Sequence, residues 1–153
     1  MRKLFLTFFY TGLLPKAPGT YGTIAGAIAA LPVLWYFQPT TLFLATILLT
    51  LVAVNEINKE EAQSGIHDAS EIVIDEVAGI WLALSMSGAT WWQILFSVLY
   101  FRLFDIWKPS VIGRIDREVE GGWGVMGDDL LAGIFAAICS AGTYQVMGYF
   151  GLA

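Results

Sequence analysis

Five carboxylates, Asp75, Glu76, Asp105, Asp128 and Asp129, fall in three short segments of an otherwise charge-poor chain. Together they form a set of hard oxygen donors. The chain has one histidine, His67, and one cysteine, Cys139, so a nitrogen- or sulfur-rich metal site has too few ligands. Hard oxygens suit Mg2+, which takes one or two carboxylates and completes its shell with water and phosphate. Carboxylates crowded together cannot all stay ionised unless a positive charge lies among them. Such a set could hold a metal ion together with a phosphate group, with Arg102 and Lys108 beside the acids. Each element also has a plainer reading. Asp128-Asp129 could cap a helix, Asp75-Glu76 could be a solvated helical turn, and Asp105 could pair with Arg102 or Lys108 at helical spacing. Ionisable groups beside apolar, membrane-depth helices are costly and usually functional, which favours a shared site.

Two glycine segments flank these acids. Pro18-Gly19-Thr20-Tyr21-Gly22-Thr23 precedes a helix, where free N–H groups and hydroxyls can hold an anion, with Lys16 just ahead. Gly121 to Gly127 leads into Asp128. Either could be only a flexible turn. His67 reads as a surface or loop histidine, with a catalytic role as the minor alternative, and Cys139 as a packing residue.

The elements that must bring the acids together follow from the distribution of charge. The 153 residues are 57% hydrophobic and 14% charged, with a net charge of −5. Soluble domains run at about 45–50% apolar and about 25% charged. This composition excludes a disordered chain, a collagen-like fibre and a nucleic-acid binder. The length allows one domain, 1–153. All 21 charged side chains lie in 2–16, 56–76 and 102–129, leaving charge-free intervals at 17–55, 77–101 and 130–153. About 20 apolar residues cross a bilayer.

The first interval predicts helices over 22–37 and 41–60, the second capped by Thr40 or Thr41. The second interval predicts helices from Ser70 to about Met86 and from Trp91 to Trp107, the latter capped by Thr90 and stopped by Pro109. A last helix covers 130–153, loosened near Gly142 and Gly148. Residues 4–14 predict an interfacial helix rather than a cleaved signal.

The fold expected is all-α, a small bundle of about five to six helices. Its membrane-embedded hairpins turn at 38–41 and 87–90, with the charged loops on one face. That face is cytoplasmic by the positive-inside tendency. A rival reading makes 77–101 one straight span and separates the acids across the membrane. Self-association through Trp91-Trp92, Gly26 or Ala29-Ala30 could complete so small a core.

Four strings, PKAPGTYGT, IVIDEVAGIW, FRLFDIWKP and DREVEGGWGVMGDDLLAG, occur in this order between Leu13 and Ala137. Together they strongly resemble the phosphatidylglycerophosphatase A family. The resemblance implies a Mg2+-dependent lipid phosphatase of the bacterial inner membrane that converts phosphatidylglycerophosphate to phosphatidylglycerol. It maps the family's acidic positions onto Asp75, Glu76, Asp105, Asp128 and Asp129, and its PGT loop onto Pro18, Gly19 and Thr20. Lys108 falls in a matching segment, and Asp116-Arg117 matches the family's DR pair, which adds Arg117 to the substrate-binding candidates Lys16, Gly19, Thr20, Arg102 and Lys108.

The residues themselves disfavour other phosphatase designs. There is no D-x-D pair for an aspartyl-phosphate, no loop ending in arginine after Cys139, and no second histidine. Metal-activated water remains, with the five acids as metal candidates and Asp75, Glu76 and Asp129 as catalytic candidates, Glu76 among them as general base. A phosphatidyl-alcohol transferase would need a D-x-x-D-G-x-x-A-R run that is absent. A membrane scaffold would bind metal without releasing phosphate.

Overall fold

The computed structural model describes residues 1–152. It contains seven α-helices and, among the described residues, no strand: α1 Arg2–Leu6, α2 Pro18–Tyr36, α3 Pro39–Ser64, α4 Ile74–Ser87, α5 Trp91–Trp107, α6 Val111–Glu118 and α7 Gly122–Tyr149. A single 3₁₀ turn, Thr11–Leu13, links α1 to α2.

The bundle is organised around α4. From Val77 to Leu84 this helix is apolar on every side, and a stretch of that kind is stable only when enclosed. Here α2, α3, α5 and α7 enclose it, and Val77, Ala78, Ile80, Ala83 and Leu84 are each 0% exposed. Its contact with α7 is backbone to backbone. A Cβ on Gly79 would lie 2.7 Å from the Asp129 carbonyl oxygen, and one on Gly133 would lie 2.4 Å from the Gly79 carbonyl oxygen. Asp75 stands one turn before Gly79 and Asp129 one turn before Gly133. The crossing therefore sets the two acids at the same level.

The hairpin between α4 and α5 is closed as its sequence indicates. Gly88 turns the chain at φ +112°, and Thr90 caps α5 in a reciprocal capping box with Gln93. Ser87 and Ser97 then pair across the hairpin at 2.8 Å. One straight span over 77–101 is thereby excluded.

Several boundaries differ from the sequence expectation. Helix α2 begins at Pro18 rather than 22, because proline at the first helical position has no N–H to satisfy. For the same reason α3 starts at Pro39, with Gln38 rather than Thr40 or Thr41 at its N-cap. Helix α4 starts at Ile74, not after Ser70, where the Val73 N–H donates to the Leu6 carbonyl at 3.0 Å. Helix α7 starts at Gly122 and absorbs the glycine segment expected to be a loop, so Asp128 and Asp129 lie in its second turn and do not cap it. It also runs without a break through Gly142 and Gly148. The interfacial helix expected over 4–14 is only α1, since Phe8, Phe9 and Tyr10 turn away with φ of 39°, 56° and 69°. The eight-residue α6 was not anticipated.

The early start of α7 has a visible cause. Gly122 and Gly124 are buried where a side chain would strike the Val54 and Val119 carbonyls, and the Gly122 N–H donates to Asn58 Oδ1 of α3 at 2.7 Å. Asn58 thus caps α7 from another helix. Asn58→Ala should cost about 1 kcal/mol and lower Tm in detergent by about 2–4 °C; an unchanged melt would show that the cap carries no weight.

Helices α3 and α7, with 26 and 28 residues, are long and apolar enough to cross a membrane. Only 33% and 28% of their apolar stretches are buried inside the protein. Leu44, Ile47, Leu48 and Leu51 on α3 and Phe135, Ile138 and Val146 on α7 are exposed, the pattern of helices that face lipid.

Candidate active site

The three charged stretches of the sequence converge on one cavity of about 470 Å³. Its floor is Asp75 and Glu76 from the first turn of α4 and Asp129 from α7. Each offers a carboxylate oxygen, and these oxygens lie within 4.8 Å of one another. Asp75 and Asp129 are 8% and 3% exposed. Glu76 keeps some exposed surface, but its Oε2 is out of reach of solvent, and neither Glu76 Oε2 nor Asp75 Oδ1 has a hydrogen-bond partner. At such separations two carboxylates repel by about 3 kcal/mol at an effective dielectric of about 20. Burial, then the neighbouring charges of Asp129 and Asp105, push Glu76 up to about 8, against the lowering effect of Arg102. Burial, then Glu76, raises Asp75 well above the carboxylate range. The unpartnered oxygens and the all-oxygen donor set fit a hard divalent cation held by Asp75, Glu76 and Asp129.

The other two acids, Asp105 and Asp128, stand beside the trio, and each also has a cationic partner. Asp105 forms an ion pair with Arg102 one turn away on α5. Asp128 accepts from Lys108 Nζ at 2.7 Å, and Asp116 of α6 accepts from the same ammonium at 2.5 Å. Burial lowers the Lys108 pKa, but these two carboxylates outweigh it and hold it above its usual range. Lys108 is thus a bridge between α6 and α7 as well as part of the cavity wall.

The first turn of α2 forms the opposite lining with Ala17, Pro18, Gly19 and Thr20, and Lys16 stands at its edge. A Cβ on Gly19 would lie 2.2 Å from Glu76 Oε1 and 3.2 Å from Arg102 Nη1. This is the close backbone approach that requires glycine, and it brings the positive end of α2 against the acids.

Of the residues singled out from sequence, all but Arg117 line this cavity. Arg117 is exposed, with its guanidinium over Gly113. Its neighbour Asp116 lines the cavity instead. His67 and Asp68 also line it, although no spacing in the sequence separates them from ordinary loop residues.

The chain is a phosphatase by its relatives as well as by this chemistry. The family model for phosphatidylglycerophosphatase A matches residues 4–144. A phosphatidylglycerophosphatase A of Haemophilus influenzae is 38% identical over 131 residues, 85% of this chain and 80% of that protein. One of Escherichia coli strain K12 is 37% identical over 134 residues, 84% and 75% of the two chains. A Bacteroides thetaiotaomicron protein, provisionally described as a phosphatidylinositol-3-phosphatase, is 35% identical over 150 residues, 93% of this chain and 92% of its own. No solved structure matches. This chain belongs to the phosphatidylglycerophosphatase A family. Two of its helices have the length and apolar composition to cross a membrane.

Proposed function

We propose that this chain removes the terminal phosphate of phosphatidylglycerophosphate to give phosphatidylglycerol, with Mg2+, at the cytoplasmic face of a bacterial inner membrane. The observation that carries the metal-dependent reading is the buried trio Asp75, Glu76 and Asp129 with two unpartnered oxygens. Its relatives carry the choice of lipid. The charged stretches gathered at one end support a site at the membrane surface, and the positive-inside tendency supports the cytoplasmic side.

When bound, Mg2+ would neutralise phosphate charge and acidify a water molecule. The chain's own residues do the rest. The α2 N-terminus at Gly19 and Thr20, Lys16 and Arg102 draw the phosphomonoester towards the acids. A carboxylate of the trio, Glu76 in this reading, takes the proton of the attacking water. Lys108 holds Asp128 and Asp116 in place and offsets part of their charge beside the trio.

The relative described by another headgroup supports a second reading, in which the phosphate lies on an inositol ring. Phosphate release from the two lipids in detergent, with and without Mg2+, decides between them. Release from neither, by folded protein, would sink both.

The raised Glu76 carboxyl gives a pH test of the cluster itself. Its folded value of about 8 exceeds the ordinary 4.5, so the folded state binds the proton more tightly. Metal-free protein should therefore lose stability as pH rises from about 4.5 to about 8, and level off above. In excess Mg2+ the loss should be reversed, and the Tm difference between Mg2+ and chelator should grow with pH. A difference that stays constant from pH 5 to 9 would count against a cation at the trio.

A further inference from the structure

We propose that His67 is the general acid of this site, donating a proton to the oxygen that leaves phosphorus, and that Glu61 is the positioning residue for its ring. The inference rests on the phosphatase reading above.

The loop after α3 is built to place this ring. Gly65 ends α3 at φ +70°, with its N–H donating to the Glu61 carbonyl at 2.8 Å. Ser64 Oγ accepts from the Ile66 N–H at 3.2 Å. The chain therefore folds back over the last turn of α3. Glu61 Oε1 lies 2.6 Å from His67 Nδ1 and also accepts from the Asp68 N–H at 3.3 Å. A carboxylate in this position can only accept, so Nδ1 carries the proton. That leaves Nε2 as the nitrogen open to a ligand. The ring is half exposed and lines the same cavity as the acidic trio.

The cavity has another need that His67 can meet. A glycerol oxygen leaving phosphorus is strongly basic and departs poorly without a proton. The trio can accept a proton from water, but carboxylates holding a cation have none to give. Arg102 and Lys108 are held in ion pairs with carboxylates. Among the described residues on the cavity wall, His67 is the one imidazole, a side chain that can donate through one nitrogen while the other is held. The charged groups around it are Glu61 on α3, Asp68 beside it, Glu120 ahead of α7 in an adjoining surface pocket, and Lys16 on the shared cavity.

The step balances. The phosphorus–oxygen bond breaks with its electron pair on the ester oxygen, which takes the Nε2 proton of the imidazolium. Water forms the new bond to phosphorus and gives its proton to the carboxylate base. The products are the lipid alcohol and inorganic phosphate, and the ring regains its proton from solvent.

The test compares two lipid phosphomonoesters that differ in the leaving oxygen, one an alkyl glycerol and one a nitrophenol, whose departure needs no acid. His67→Gly is expected to slow the alkyl ester about 100-fold or more and the nitrophenyl ester no more than about 3-fold. Added imidazole should restore part of the alkyl rate. Glu61→Gln should act in the same direction, with a loss of about 10-fold on the alkyl ester alone; it keeps the test decisive if His67→Gly does not fold. Equal losses on both esters, or full activity of His67→Gly on the alkyl ester, would overturn the proposal. A wild type inactive on both esters overturns the phosphatase reading itself, a result distinct from either.

Discussion

Asp75→Asn is expected to reduce Mg2+-dependent phosphate release by about three orders of magnitude, since a bound cation contributes several kcal/mol to such a reaction. The same substitution should make the protein more stable in chelator. The native carboxylate is buried, its Oδ1 is without a partner, and Glu76 and Asp129 are the acids grouped with it. An amide of the same size removes an acid from that crowded group and leaves the apolar neighbours Ile74 and Val77 in place. Activity and stability thus move in opposite directions, by about 1–3 kcal/mol on the stability side. The check is a pair of measurements on one preparation, phosphate release with Mg2+ and a melt in EDTA. A variant that loses activity because it no longer folds would melt lower in EDTA. A variant that still turns over would place the reaction away from the trio.

Gly19→Ala is the second large effect. The new methyl carbon would sit 2.2 Å from Glu76 Oε1, which is the far end of a flexible side chain, and 3.2 Å from Arg102 Nη1. The carboxylate can swing aside, so the fold should tolerate the change to within about 1 kcal/mol, helped by alanine's better helix propensity. The site should not tolerate it. A displacement of about 1 Å at a reacting group can cost about 100-fold in rate, and a loss of that size in kcat is expected. Gly142→Ala is the matched control, because a Cβ there meets nothing within 4 Å. Similar losses in both variants would show that the effect is not local to Glu76.

Much of this arrangement was legible in the residues themselves. The charge-free intervals marked the long apolar segments, and the Ser87–Thr90 break located the hairpin whose cap and turn the structure contains. The hairpin then implied that Asp75, Glu76 and Asp105 meet at one end. The sorting of the acids was not legible, because Lys108 reaches Asp116 and Asp128 through a reversal at residues 108–110 that has no period to read. The glycines of 121–127 misled for a similar reason. Taken locally they indicate a loop, whereas buried contacts with Val54 and Val119 and a cap from Asn58 make them helical. His67 reads from the sequence mainly as a loop histidine, because its place on the cavity wall depends on residues distant in sequence.

The crossing of α4 and α7 at Gly79 and Gly133 has a consequence for how the chain is assembled. Backbone touches backbone there, so the main chains that carry Asp75 and Asp129 are held at close approach. Synthesis completes α4 well before α7 exists, and until then Asp75 and Glu76 lack the third acid, Asp129. The encounter of the last helix with the rest of the bundle is therefore the moment at which protons or a cation must arrive. Closure of the bundle should be slowest where neither protons nor a cation can neutralise the three acids.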